Sequence, residues 1–349
     1  MSFVPYQLAA NNSNTWGWIT EGVHFRDRNN NGTKDETNAA GDTFLPLPIR
    51  LAEDGYVVIR ECKKWNILQG TSRMDPEHIA MEGYEDLLLE FSGELLDMSW
   101  LYQLADKCAN SGGSAPYTHQ VDGADALDNP PPSMELWRCI KNDKTGGGES
   151  VYLLYVGCRL VNLEFESEAG KTVLAKVTIH VARVVAGTAL TTPPMIPKVN
   201  PYLGIWTLTL TKGTIAYQQN VTKFKFAFLT DKRYIKGGGD YYGVAPLLAN
   251  KREIYIIFTI FPYETDSFDD SQDAPTTAQD KDLVFKLYKN LTDDFFQFSL
   301  ANAMQQLLKQ GFNKDKVYEE EHKWFFNPME ASPTWDITVN DSYTAARYS

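Results

Sequence analysis

Two groups of oxygen-bearing side chains have types and spacing that can do chemistry. The first lies in the run DRNNNGTKDETN, residues 27–38. Asp27, Asn29, Asn31, Thr33 and Asp35 stand at alternate places with Gly32 among them, which is the order of donors in a calcium loop. Oxygen donors at alternate positions can converge on a hard cation, and glycine permits the sharp bend. The twelfth place holds Asn38 instead of a bidentate Glu, and no helical pattern flanks the run. The simpler reading is a hairpin loop turning at Asn31-Gly32. The second group is Glu164 and Glu166 in the run LVNLEFESE. Two carboxylates at i and i+2 of a strand lie about 6–7 Å apart, a workable separation for glycoside hydrolysis. Acid alternating along the wet face of a strand is also common in any soluble sheet.

Other chemistry is poorly supported. The five histidines, His24, His78, His119, His180 and His322, are isolated, with no H-x-x-x-H pair. His180 and His322 read as surface residues. The four cysteines, Cys62, Cys108, Cys139 and Cys158, are scattered without C-x-x-C spacing. They fit a reducing compartment as small buried residues, although four can also pair as disulfides. KTGGGES (144–150) and KGGGDYYG (236–243) lack the spacing of a phosphate-binding loop and read as hairpin tips. Trp16, Trp18, Tyr241 and Tyr242 can form a sugar-stacking platform or belong to a core. The net charge of -12 argues against gripping phosphates, which requires clustered Lys and Arg. No cofactor is expected and no enzyme activity is assigned. The N-terminal run has no signal-peptide pattern, and no apolar run is long enough to span a membrane.

The elements that must position these residues are mostly strands. In 155–181 Leu163 and Phe165 point one way while Asn162, Glu164 and Glu166 point the other. EAGK (168–171) makes the turn. The return strand carries Val173, Ala175, Val177, Ile179 and Val181 on one face, and Lys176, Thr178 and His180 on the other. Helical spacing is read at 99–108, with Ser99 as cap, and at 282–291 through Leu283, Val284, Leu287, Tyr288 and Leu291. Residues 301–312 are ambiguous between helix and extended chain. Residues 111–134, with three consecutive prolines, read as a loop. The order of elements before and after the Pro- and Thr-rich stretch 187–204 repeats. Two modules follow: 1–190, with long loops at 26–42 and 111–134, and 191–349, with an acidic insert at 264–282.

The stretch VGCRLVNLEFESEAGKTVLAKVTIHVARV resembles the tail tube proteins of long-tailed bacteriophages. The likeness lies in the GC step, the alternating strand, the small Gly turn and the return strand. SMELWRCIKNDKTGGGESVYLLY before it is similar to the preceding strand and hairpin of that family, and TWGW followed by a polar loop is similar too. The match is strongest over 134–185. The resemblance implies a mainly β fold with minor α: two tandem β-sandwich or barrel modules, each with a packed helix. It implies a structural virion protein whose rings stack into the hollow tail tube that conducts DNA. Its place would be the virion tail, and the host cytoplasm during assembly. With two modules per chain, three copies would supply a pseudo-hexameric ring. Asn162, Glu164, Glu166, Glu168, Lys176 and Thr178 would then line the lumen. Loops carrying Asn29, Asn30, Asn31, Gly146, Gly147, Gly238 and Gly239 would join rings or subunits. Partners would be copies of itself, DNA passing without specific binding, and tail proteins such as tape measure and terminator. The rival reading is a calcium-stabilised carbohydrate-binding or adhesin-like β protein.

Overall fold

The computed structural model describes residues 14–20, 37–61, 65–69, 76–81, 86–101, 108–111, 117–122, 133–141, 150–195, 199–212, 215–217, 220–230, 233–236, 243–247, 252–261, 281–289, 294–312, 318–325 and 335–341. The described part is mostly β, with almost no helix. In chain order the first strands are β1 (Asn14–Thr20), β2 (Leu45–Pro46), β3 (Ile49–Glu61), β4 (Trp65–Gln69), β5 (Pro76–Met81) and β6 (Asp86–Leu95). They continue as β7 (Cys108–Ser111), β8 (Tyr117–Asp122), β9 (Met134–Ile140), β10 (Val151–Glu168), β11 (Leu174–Val181) and β12 (Arg183–Ala186). Then follow β13 (Trp206–Lys212), β14 (Ile215–Tyr217), β15 (Asn220–Thr230), β16 (Arg233–Lys236), β17 (Gly243–Leu247) and β18 (Arg252–Phe261). The last four are β19 (Lys281–Tyr288), β20 (Phe295–Phe312), β21 (Tyr318–Phe325) and β22 (Trp335–Asp341).

The connectivity occurs twice. In the first half β2 pairs with β1, β1 with β9, β9 with β10, β10 with β11 and β12, β11 with β6, and β6 with β3. In the second half the same pattern runs through β14, β13, β19, β20, β21, β22, β18 and β15. Even the side hairpin recurs: β4–β5 falls between β3 and β6, and β16–β17 between β15 and β18. One addition breaks the parallel. The hairpin β7–β8 of the first half pairs with β22 of the second.

The two halves fuse through β10 and β15. The result is one antiparallel sheet of eight strands in the order β3-β6-β11-β10-β15-β18-β21-β20, four from each half. The whole system wraps its core like barrel staves. Traced ladder by ladder, however, it does not close. Eighteen strands are joined by seventeen ladders, a branched chain without a ring among the described residues.

β10 and β20 are the longest strands, at 18 residues each, and each serves two sheets. The first part of β10 pairs with β9 and β12 and the second with β11 and β15. β20 divides in the same way between β19 and β22, then β21. A left-handed residue marks each crossing: Gly157 (φ 63) in β10 and Asn302 (φ 51) in β20. Each is followed by a fully buried small residue, Cys158 and Ala303. A positive φ bends the strand from one sheet into the next, and Gly or Asn tolerates it best. The GC step of the sequence is therefore a corner.

The core follows from period-two alternation. β22 reads buried at Trp335, Ile337, Val339 and Asp341, and half-buried between them. Phe165, Phe224, Phe226, Phe296 and Phe298 pack in the middle with ring centroids 4.8 to 6.2 Å apart. Gly93 lets β3 cross closely, since a Cβ there would stand 2.1 Å from the Arg50 carbonyl oxygen.

Several sequence expectations change. Residues 281–288 are strand β19, not helix, because Phe285 joins Leu283 and Leu287 on one buried face. The aromatic and β-branched residues there also favour a strand. The second half therefore shows no packed helix at that place. Residues 301–312 are extended, held in ladder with β21 against their own helix propensity. Of the helix expected at 99–108, residues 102–107 lie outside the described residues, and Leu101 just before them is helical. Its turn is capped by Asp97, which accepts the Ser99 N–H at 2.9 Å, and Cys108 opens a strand. The loop expected at 111–134 contains β8, which pairs with β22 and buries His119. The described parts of the boundary stretch 187–204 are tied to the first half by backbone hydrogen bonds. Gly187 donates to Tyr152, Thr191 to Ala40 and Tyr202 to Leu95, and Tyr202 is buried.

Candidate functional site: the open face and free edges of the large sheet

One face of the eight-stranded sheet packs on the core, and the other is polar. On β10 Leu163, Phe165 and Ser167 are buried, while Asn162, Glu164, Glu166 and Glu168 lie on the opposite, open face. β11 adds Lys176 and Thr178, which register with Glu164 and Asn162. The six residues singled out from the sequence therefore share one face. What the single strand did not reveal is its neighbour. On β15 Lys223 and Lys225 stand opposite Glu168 and Glu166.

The face is consequently laced with both signs. Lys225 Nζ lies 2.5 Å from Glu164 Oε2, Arg50 lies 2.7 Å from Glu94, Lys323 lies 2.6 Å from Glu253, and Lys176 lies 3.7 Å from Glu90. Lys171 bonds Glu168 across the turn. Burial alone would lower the Lys225 pKa, but the hydrogen bond and charge of Glu164 outweigh it and hold the ammonium above its ordinary value. The hydrogen bond from Lys171, then its charge, holds Glu168 below the ordinary carboxylate range. The sheet curls around a cavity of about 700 Å³ lined in part by Glu166, Glu168, Lys223, Lys225, Lys309 and Glu319.

The alternative sites fare differently. Asp27, Asn29, Asn30, Asn31, Thr33 and Asp35 lie outside the described residues, as do Gly146, Gly147, Gly238 and Gly239. Asn38, the twelfth place of the calcium-like run, is buried and committed to the backbone. Its side-chain oxygen accepts the Thr188 N–H at 2.7 Å, and its amide donates to the Thr188 carbonyl at 3.0 Å. Trp16 and Trp18 are core residues at 5% and 1% exposure, which removes them from any sugar platform. Tyr241 and Tyr242 lie outside the described residues. A glycosidase pair needs one protonatable acid beside one free carboxylate. Lys225 clamps Glu164 instead. Among the described residues no cluster of His, Cys, Asp or Glu could hold a metal ion.

Several polar side chains lie inside the protein. His180 and His322 are buried at 7% and 2%, not on the surface. His322 pairs with Glu320 at 2.9 Å and with Gln305 at 2.6 Å, and Tyr318 donates to Glu320. His119 meets Asp341 at 3.2 Å. The Arg138 guanidinium lies within 5 Å of both the Trp16 and Tyr56 ring centroids, which touch each other edge-on, and donates to the Tyr56 hydroxyl at 2.7 Å. Strand parity was the available signal in one case, since Glu320 and His322 share the phase of buried Trp324. Cys139 and Cys158 are buried, and the Cys158 thiol donates to the Tyr155 carbonyl at 3.4 Å.

The sheet ends in two edges. β3 ladders only with β6, and the second part of β20 only with β21, among the described residues. Each edge exposes a large apolar side chain, Val57 on β3 at 50% and Leu308 on β20 at 44%. Unpaired strand edges are templates for another chain. Comparison with protein-family models finds no match to this chain, and comparison with curated proteins finds none either.

Proposed function

We propose that this chain is a structural subunit of a hollow tube of the kind built by the tail tube proteins of long-tailed bacteriophages, with the large sheet as its share of the inner wall. The observation that carries the reading is the eight-stranded sheet itself: a core on one face, a curled polar surface on the other, and two edges unpaired among the described residues. An eight-stranded sheet closed on itself would leave an interior filled by side chains. Left open and joined edge to edge, three copies would give a wall of twenty-four strands. At normal strand spacing and barrel tilt its backbone diameter is about 50 Å, ample for duplex DNA.

The repeated connectivity supports two tail-tube-like modules per chain, divided near residue 190. The resemblance found over 134–185 falls on β9 to β12, of which β10 and β11 supply central strands of the wall. The charges on the open face fit passage without grip. Phosphate binding needs unopposed Lys and Arg that release counterions. Here the lysines are met by glutamates in register. A finely mixed face offers a sliding polyanion little net attraction at any one place. Tape-measure and terminator proteins would be partners at the bore and the end of such a tube.

Electron microscopy of the concentrated chain tests the reading. Rings or tubes with threefold or pseudo-sixfold end views are expected. A folded monomer that forms neither at high concentration, under varied salt and pH, overturns it.

A further inference from the structure

We propose that the outer edge of β20 in one copy pairs antiparallel with β3 of the next copy, reproducing at the subunit boundary the β10–β15 ladder found inside each chain. The proposal rests on the ring-building reading above and adds its edges, polarity and register.

The internal repeat supplies the argument. β20 is the counterpart of β10, and β3 is the counterpart of β15, by their places in the repeated connectivity. Inside the chain β10 has a strand on each flank of its second part, β11 and β15. Among the described residues β20 has only β21 there, and β3 has only β6. The two edges left over are thus the same kinds of edge that already join once. They lie at opposite ends of the strand order, so the contact is head-to-tail, the type that closes into a ring when the rotation allows. Val57, exposed on the β3 edge, falls within the ladder so formed.

The register can be read as well. In the first half Asn162, Thr178, Glu90 and Val57 form one row across the strands. In the second half Lys309, Glu321, Thr259 and Lys223 form one. Each row starts just past a bulge in the long strand, between Leu160 and Asn162 or between Leu307 and Lys309. The two rows therefore correspond, and Val57 corresponds to Lys223. At the internal junction Asn162 faces Leu229, not Lys223, which is a slip of six residues along the strand for four strands across.

That slip is informative. Six residues of rise over four strand spacings give a strand tilt of about 45°, at the upper end of the range for closed barrels. A flat open sheet has no need of such a stagger. Applying the same slip at the outer boundary, the Glu164–Ala227 pair becomes Gly311 facing Glu61 of the next copy. The Phe165–Phe226 pair becomes Phe312 facing Arg60.

Disulfide trapping tests the junction. With Cys62→Ser as background, Glu61→Cys and Gly311→Cys are combined, the protein is assembled and oxidised, and products are separated without reductant. Covalent multimers up to the full ring are expected, and at least ten-fold less from the shifted pair Ile59→Cys with Gly311→Cys. Rings in the microscope without a cross-link at 61/311, or with equal cross-linking of the shifted pair, overturn the junction while the tube reading stands. A folded protein giving neither rings nor cross-links overturns both. Hydrogen exchange on the unsubstituted chain covers the case in which the cysteine variants misfold. Amides of 57–61 and 309–312 should exchange at least ten-fold more slowly after assembly, and unchanged rates at both edges overturn the junction.

Discussion

The Lys225 ammonium lies 2.5 Å from the Glu164 carboxylate, and this ion pair bridges the two halves of the chain on the open face of the shared sheet. Both side chains are partly screened by solvent, so the pair is worth less than a buried one. A double-mutant cycle with Glu164→Gln and Lys225→Met should give a coupling of about 0.5–1 kcal/mol by denaturant unfolding. A coupling of zero would show that the contact does not hold the halves together.

The same pair sets one alkaline limit. Lys225 is raised in the folded state, so its contribution is complete below the unfolded lysine value of about 10.4 and is lost as pH rises through the folded one. Glu168 is lowered by Lys171, so its contribution is present above the unfolded value of about 4.3 and is lost as pH falls through the folded one. Melting temperature against pH should therefore drop at both ends. Lys225→Met should flatten the alkaline limb, and Lys171→Met the acid limb. Limbs that are unchanged in these variants would assign the titration to other groups.

Gly157 and Asn302 make a matched pair of corners, and they should respond to substitution in opposite ways. Gly157→Ala places a Cβ in the left-handed region and should cost about 1–2 kcal/mol. Asn302→Gly relieves the same strain and should be neutral or stabilising by a few tenths, whereas Asn302→Val should cost more than Gly157→Ala. Thermal unfolding of the three variants checks the order. If Asn302→Val melts with the parent, the corner in β20 is not under backbone control.

How much of this was legible from the sequence differs from element to element. The β10–β11 hairpin was readable because its alternation is strict: Leu163 and Phe165 against Glu164 and Glu166, with a Gly turn between the strands. β19 was not, because its apolar residues fit both periods, and only the partner strands β13 and β20 decide between them. The lysine lattice was invisible for a different reason. Lys223 and Lys225 are some sixty residues from Glu164 and Glu166, and only the junction of the halves brings them into register. His322 looked exposed because charged neighbours surround it in sequence, yet every second residue of β21 turns inward. Pairing partners are long-range information, and a single strand carries only its own parity.

Cys139 offers a chemical check on the core. Burial raises its thiol pKa above the ordinary value and outweighs the opposite pull of Ser150 and Lys141. A buried, protonated thiol is a poor nucleophile. Iodoacetamide at neutral pH should leave Cys139 and Cys158 unmodified in the native protein and label both after denaturation, as read by peptide mass mapping. Rapid native labelling of either would mean that the packing around β9 and β10 opens on the time scale of the reaction.

The two halves should unfold together. Phe165 of β10 stacks on Phe226 of β15 at 4.8 Å and meets Phe296 of β20 edge-on at 5.2 Å, so one ring from the first half is packed by two from the second. The principal core cluster runs without a break from Trp16 to Val339. Two domains joined by a linker would each keep a separate core and melt independently. Here the removal of one ring leaves a cavity that both halves line. Phe165→Ala should cost about 3–5 kcal/mol and lower the melting temperature by about 5–10 °C. The calorimetric trace should remain a single peak that moves as a whole. A split trace, in which only the part at lower temperature shifts, would show that the halves are energetically separate despite sharing a sheet.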